Sequence, residues 1–277
     1  MDLVESHVHV WTVRDPRFPK HPDSNFDTEQ EASPEDLFAA QDEVGGADWT
    51  VLIQPRLYLW DNAYLAQAAE AHPDRFVVAG RVNPMDGEAP RQLRELMQRP
   101  GYRGIRLAAT EDPATRWLDD RSQDRLWEAA AETRATIGLL IQWRQLPQAA
   151  AMATRHPDVT VVVDHLGFPD YDDPDSLENL LDLARLPNVY VKLSGYPHNT
   201  GDAYPYVRAR PFIQRMLNAF GASRVMWGSD WPVCLAHATY GQAFTSAWEL
   251  PWLTDGDREW IFSRTARAAW RIPDGRA

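Results

Sequence analysis

Cysteine is nearly absent from this chain: Cys234 is the only one in 277 residues. A single thiol cannot close an internal disulfide, so the fold must rest on its core, and the composition suits a reducing compartment. Long apolar runs are missing as well. No stretch of about 18 uncharged apolar residues occurs, so no transmembrane helix is expected, and the chain begins on a polar strand instead of a charged and then apolar leader. The expected location is cytoplasmic. Basic residues are in deficit, 28 Lys and Arg against 40 Asp and Glu, for a net charge of −12. Nucleic-acid binding draws its affinity from clustered cations, so this balance points to small-molecule partners. A glycine-rich turn after the first strand and a phosphate-loop sequence are also lacking. An open dinucleotide-binding sheet therefore has no local support.

What is present is a regular alternation. With 44% hydrophobic residues the chain can bury a full core, and its length is that of one α/β barrel. Apolar runs rich in Val, Ile and Leu predict strands over Leu3 to Val10, Trp49 to Gln54, Phe76 to Val82, Tyr102 to Leu107, Ile137 to Gln142, Val159 to His165, Val189 to Ser194 and Arg224 to Gly228. Helical patterns lie between them. Ser33-Pro34 and Asp61-Asn62 mark two helix starts, and further helices fit Ala89 to Gln98, Ser122 to Arg134, Leu146 to Arg155, Ser176 to Leu186, Arg210 to Phe220 and Asp255 to Trp270. Eight strands alternating with helices predict a single-domain (β/α)₈ TIM barrel over residues 1–277. The long irregular stretches Thr12 to Ala32, Tyr196 to Ala209 and Val233 to Gly241 would lie on its C-terminal face, where barrel enzymes carry their sites.

Four groups converge on that face. His7 and His9 alternate with Val8, so they project from one side of the first strand about 6.6–6.8 Å apart, close enough to share an ion or a substrate oxygen. His165 ends strand six and Asp230 ends strand eight. Three imidazoles and a carboxylate suit a divalent metal such as zinc. They equally suit a metal-free site in which imidazoles donate to a carbonyl oxygen and Asp230 activates water. Arg56 lies just past strand two, Arg81 on strand three and Arg106 on strand four, where guanidinium groups could anchor a carboxylate or form structural ion pairs. Gln142, closing strand five, is a further substrate-binding candidate. Lys192 faces the interior and needs a carboxylate such as Glu5 or Asp164. Cys234 reads as a small buried hydrophobe, and Trp11, Trp60, Trp143 and Trp231 could wall a ring-shaped ligand.

Taken together, Ser6-His7-Val8-His9 with Trp11, Gly80-Arg81-Val82-Asn83-Pro84, Gly104-Ile105-Arg106, Arg144-Gln145-Leu146-Pro147, Asp164-His165-Leu166-Gly167, Val191-Lys192-Leu193-Ser194-Gly195 and Gly228-Ser229-Asp230-Trp231-Pro232-Val233 resemble the amidohydrolase superfamily. The resemblance is to its lactonase-like branch, which acts on pyrone dicarboxylate and sugar-acid lactones. It implies a distorted barrel, Asp230 as general base, and His7, His9 and His165 around the scissile carbonyl, with zinc in some relatives and no metal in others. Two departures narrow it. The only lysines are Lys20 and Lys192, and strand four ends Gly104-Ile105-Arg106-Leu107, so the bridging lysine of binuclear members has no counterpart. Strand five ends in Gln142-Trp143 where metal-dependent decarboxylases of the superfamily place a histidine. The expected activity is hydrolysis of a small, carboxylate-bearing lactone; decarboxylation of a cyclic or aromatic acid is the alternative, and a non-catalytic binding barrel a third reading. Neither the particular lactone nor the oligomeric state is legible.

Overall fold

The computed structural model describes residues 2–109 and 116–273. Its centre is one parallel sheet of eight strands in sequential order: β1 (Val4–Val8), β2 (Trp49–Ile53), β3 (Phe76–Gly80), β4 (Tyr102–Ala108), β5 (Thr136–Leu140), β6 (Val161–Val163), β7 (Val189–Leu193) and β8 (Val225–Trp227). The sheet curls until its edges meet. A bridge pairs Val8 with Trp231, the His9 amide donates to the Trp231 carbonyl (2.7 Å), and the Asp230 amide donates to the His7 carbonyl (2.9 Å). This is the expected TIM barrel, with each predicted strand in place.

Period-two side-chain alternation separates two cores. Val51, Ile53, Val77, Ala79, Val162 and Met226 cluster inside the barrel, while Leu52, Val78, Val161, Val163, Val189 and Val191 pack outward beneath the helices. Those helices are α1 (Pro34–Gln41), α2 (Ala63–Ala71), α3 (Ala89–Leu96), α4 (Asp124–Thr133), α5 (Leu146–Arg155), α6 (Glu178–Leu183), α7 (Tyr196–Asn199), α8 (Arg210–Phe220), α9 (Tyr240–Trp248), α10 (Asp255–Glu259) and α11 (Thr265–Trp270). At α1 the Ser33 hydroxyl accepts from the Asp36 amide, the expected cap. At α2 the N-cap position is Asn62, whose side chain does not cap the helix; Asp61, just before it, accepts from the Ala63 amide (3.0 Å), and Asn62 clamps the backbone of Arg81, accepting from its amide and donating to its carbonyl, both at 2.9 Å.

Three features depart from the sequence reading. The helix expected over Asp255 to Trp270 is interrupted by a π turn at Trp260–Arg264. Helix α9 begins where a loop was expected, on a capping box in which Thr239 accepts from the Gln242 amide and the Gln242 side chain accepts from the Thr239 amide. The third concerns Glu5. A register shift in β1 between Glu5 and Val8 breaks the alternation, so Glu5 does not share the interior with His7. Its carboxylate accepts instead from the Ser229 amide (2.9 Å), the His7 amide (3.0 Å) and the Tyr240 hydroxyl of α9 (2.9 Å).

The opposite end of the barrel is closed by the last helix. Trp270 is fully buried in the interior cluster, and the Ala269 carbonyl accepts from the Thr136 hydroxyl of β5 (2.6 Å). The site can therefore open only at the C-terminal ends of the strands. Among the described residues no helix is long and apolar enough to cross a membrane.

Candidate active site

His7 and His9 emerge side by side at the end of β1, with their Nε2 atoms 3.3 Å apart. Asp230 meets them from β8. Gly228 is required there, because a Cβ at this position would lie 2.7 Å from the His7 Cβ. Asp230 itself has a left-handed backbone (φ 62°), a conformation that Asp and Asn tolerate better than most residues. That turn aims the carboxylate across the barrel mouth. Its Oδ1 lies 3.4 Å from both His7 Nε2 and His9 Nε2, and its Oδ2 lies 3.8 Å from His165 Nε2.

A fourth imidazole belongs to the same cluster. His198, on the short helix α7, places Nε2 3.7 Å from Asp230 Oδ2. Sequence reasoning missed it. The available signal was its position, a histidine a few residues beyond strand seven in a loop already assigned to the C-terminal face.

Beneath this layer lies a buried network of ions. Lys192 Nζ is 3.1 Å from Asp164 Oδ1 and donates to His7 Nδ1 at 2.9 Å, while Arg106 Nε donates to Asp164 Oδ2 at 2.8 Å. Asp164 is thus the partner of Lys192, and Glu5 is not. Burial alone would raise the Asp164 carboxyl, but Lys192 and Arg106 hold it well below the usual carboxylate range. Burial pushes Lys192 down from its ordinary value, against the opposing pull of Asp164.

Three of the histidines, His7, His165 and His198, are pushed toward the neutral form. Burial pushes His165 down to about 4 and His7 well below its ordinary value. Burial lowers His198 too. His165 has a left-handed backbone (φ 54°), and its Nδ1 lies 2.8 Å from the Ser194 hydroxyl. Burial of Asp230 would raise its carboxyl, yet the surrounding imidazoles outweigh this and keep it ionised. The result is a carboxylate ringed by imidazoles, of which His7, His165 and His198 are pushed toward the neutral form. Cys234, just beyond, is buried and its thiol is pushed up well above the ordinary value, so it is an inert packing group.

A cavity of about 200 Å³ opens onto this cluster. His9, His165, His198 and Asp230 line its polar side, and Trp11, Phe26, Leu140, Phe168 and Val233 its apolar side. Arg56 and Arg106 also line it. Three candidates do not: His7 is fully buried beside Asp230 and outside the lining, and Arg81 and Gln142 lie elsewhere. Arg81 belongs to a separate cavity of about 270 Å³ with Trp60 and Asn62, and its guanidinium lies 4.9 Å from the Trp60 ring; neither His7, His9, His165 nor Asp230 reaches that space. Gln142 begins the turn after β5, where its amide donates to Gln145 Oε1 (2.9 Å), outside the lining of the cavity.

Residues 4–272 match the model of the amidohydrolase family. The chain belongs to that family. An L-fucono-1,5-lactonase from Burkholderia ambifaria is 30% identical over 254 residues, spanning 90% of this chain and 86% of the relative. A 2-pyrone-4,6-dicarboxylate hydrolase from Comamonas testosteroni is 29% identical over 245 residues, 83% of this chain and 76% of its own. In fold, a zinc-bound amidohydrolase from Burkholderia multivorans superposes with a TM-score of 0.85 at 23% identity, covering 99% of this chain and all of the other. Among the described residues, this amidohydrolase has two trios of side chains whose donor atoms lie within 4.8 Å of one another: His7, His9 and Asp230, and His7, Asp164 and His165. Asp164 in the second is already neutralised by Lys192 and Arg106, so the first trio is the better cation site. It omits His165, which the sequence had grouped with the other three.

Proposed function

We propose that this amidohydrolase adds water across the ester bond of a small, carboxylate-bearing lactone. The observation that carries the reading is Asp230: an ionised carboxylate facing a largely apolar cavity, with an imidazole nitrogen near each of its oxygens. Asp230 takes a proton from water, and the hydroxide attacks the ring carbonyl. In the metal-free form we assign the His7 Nε2–H, 3.4 Å from Asp230 Oδ1, as the donor to the developing oxyanion. As the tetrahedral intermediate collapses, the carbon to ring-oxygen bond breaks and Asp230 returns the proton to the departing oxygen. The product is the open-chain hydroxy acid. General-base assistance contributes about 10²–10⁴-fold and one oxyanion donor about 10²–10³-fold. In a metal-loaded form His7 would change from donor to ligand: His7, His9 and Asp230 would then hold one divalent ion, zinc by donor type, which would supply Lewis-acid polarisation of the carbonyl in place of the N–H donor.

The cavity supports a flat, anionic substrate. Its aromatic and aliphatic walls offer few partners for a polyhydroxylated ring, whereas Arg56 and Arg106 are cations in a protein of net charge −12. The test is ring opening of carboxylated unsaturated lactones and neutral sugar lactones, followed by product NMR in parent and Arg106→Ala protein. A charge-assisted contact contributes about 1.5–3 kcal/mol, so kcat/KM for the carboxylated lactone should fall roughly 10–10²-fold and that for the neutral one much less. Equal losses on both would assign Arg106 to structure and favour a sugar lactone. Release of CO₂ without ring opening would replace the reading with decarboxylation.

A further inference from the structure

We infer that Lys192 sets the metal affinity of this site by deciding which nitrogen of His7 carries the proton. The inference rests on the reading of His7, His9 and Asp230 as the cation-binding trio. The hydrogen bonds of the two histidines differ in kind. His9 Nδ1 lies 2.8 Å from the Ile53 carbonyl, which can only accept, so Nδ1 carries the proton and Nε2 presents a bare lone pair to the cavity. His9 is therefore ready to ligate. His7 Nδ1 lies 2.9 Å from Lys192 Nζ, and an ammonium can only donate, so Nδ1 is bare and the proton sits on Nε2. That is the nitrogen facing His9 and Asp230.

A protonated nitrogen has no lone pair for a metal. In the arrangement present, His7 Nε2 donates and cannot ligate. Loading an ion requires the proton to leave Nε2 and appear on Nδ1, where Asp164 Oδ1, 3.4 Å away, is the available acceptor. Lys192 must then give up His7 and keep only Asp164, with which it is already paired at 3.1 Å. No proton is gained or lost in that exchange. Its cost falls on metal binding, and the cation beside the imidazole adds repulsion toward a second cation. Lys192 is fully buried, with its Nζ 5.2 Å from the Trp270 ring, so it has no room to swing away. Lys192 is thus a positioning residue that favours the Nε2–H donor form of His7 over the ligand form.

The test is zinc affinity by calorimetry, with elemental analysis, on parent and Lys192→Met protein. Methionine fills a similar volume but cannot donate, which leaves Asp164 free to accept from His7 Nδ1. Partners of ligating histidines alter metal affinity by about 10–100-fold, so Lys192→Met should bind zinc at least tenfold more tightly. Asp164→Asn keeps Lys192 on His7 and should bind zinc no more tightly than the parent. Unchanged zinc affinity in Lys192→Met, or its absence in both proteins, would overturn the inference, while lactone turnover by the same samples reports separately on the proposed activity. Should Lys192→Met fail to fold, ¹⁵N NMR of the metal-free parent still decides: His7 as the Nε2–H tautomer supports the inference, and as the Nδ1–H tautomer refutes it.

Discussion

Replacing Asp230 by asparagine separates the chemistry of the site from its architecture. Asparagine is nearly isosteric and is among the residues that best tolerate the left-handed backbone found here (φ 62°), so the turn after β8 should be preserved. Two energetic effects oppose each other. The amide removes a buried charge, relieving a desolvation cost, and it gives up carboxylate contacts to His9, His165 and His198. Each effect is on the order of 1–3 kcal/mol, so their difference should stay within about 2 kcal/mol. One kcal/mol corresponds to about 2–4 °C in a chain of this size class, which keeps the melting temperature within several degrees of the parent. Turnover has no such compensation. Without the proton acceptor, kcat on the best lactone should fall at least about 10²-fold. The assay is a paired measurement of calorimetric Tm and steady-state kinetics on one preparation. A kcat within tenfold of the parent, in a protein that melts normally, would show that Asp230 is not the base.

Gly195→Ala should act through His165: a Cβ there would lie 2.6 Å from His165 Nδ1, breaking its contact with Ser194, so kcat should fall at least tenfold. Gly201 has a similar positive φ but nothing within 4 Å of its Cβ position, so Gly201→Ala should cost about 1 kcal/mol of stability and leave kcat unchanged; matching losses of kcat in the two variants would refute the steric argument. Burial pushes His165 down from 6.5 to about 4, so the folded state resists its protonation: stability present above about pH 6.5 is lost as pH falls through 4, by at most about 3 kcal/mol. Calorimetric scans should show a shallower acid decline for His165→Asn than for the parent, and parallel declines would exclude it as a contributor. Glu5 works in the opposite sense. Burial raises its carboxyl to about 7, so its stability contribution is present below its ordinary value of 4.5 and lost as pH rises through 7, and Glu5→Gln should flatten that part of the profile.

The barrel was legible because parallel strands covered on both faces read as short Val and Ile runs, and every one of these recurs as a strand. His7, His9, His165 and Asp230 were legible because strand periodicity and strand ends place them on one face. Glu5 was misread for the same reason: period-two reasoning assumes an unbroken pleat, and a bulge between Glu5 and Val8 has no reliable local signature. Arg81 lies beside a predicted strand end but in a different cavity, because strand position specifies height in the barrel and leaves direction open. His198 and the start of helix α9 sit in segments read as irregular loop. The Thr239 and Gln242 capping pair could have revealed the helix, whereas the approach of His198 to Asp230 depends on tertiary packing alone.

The seam of the barrel also bears on how the molecule is assembled. The Glu5 carboxylate binds the Ser229 amide across 224 positions of sequence, the Thr136 hydroxyl reaches Ala269 across 133, and Trp270 fills the interior behind Lys192. No amino-terminal portion of the chain can finish its own core while it is being synthesised, since the strand that shuts the sheet and the residue that plugs it both come late. High sequence separation of this kind slows folding and exposes unpaired edges in the interim. A ribosome-bound chain lacking the segment from Arg224 onward would carry His7 and His9 with no Asp230 opposite them and an apolar interior open at one end. Competence is therefore acquired in one late step, and partially made copies should be recognised by chaperones or proteases before they bind a substrate.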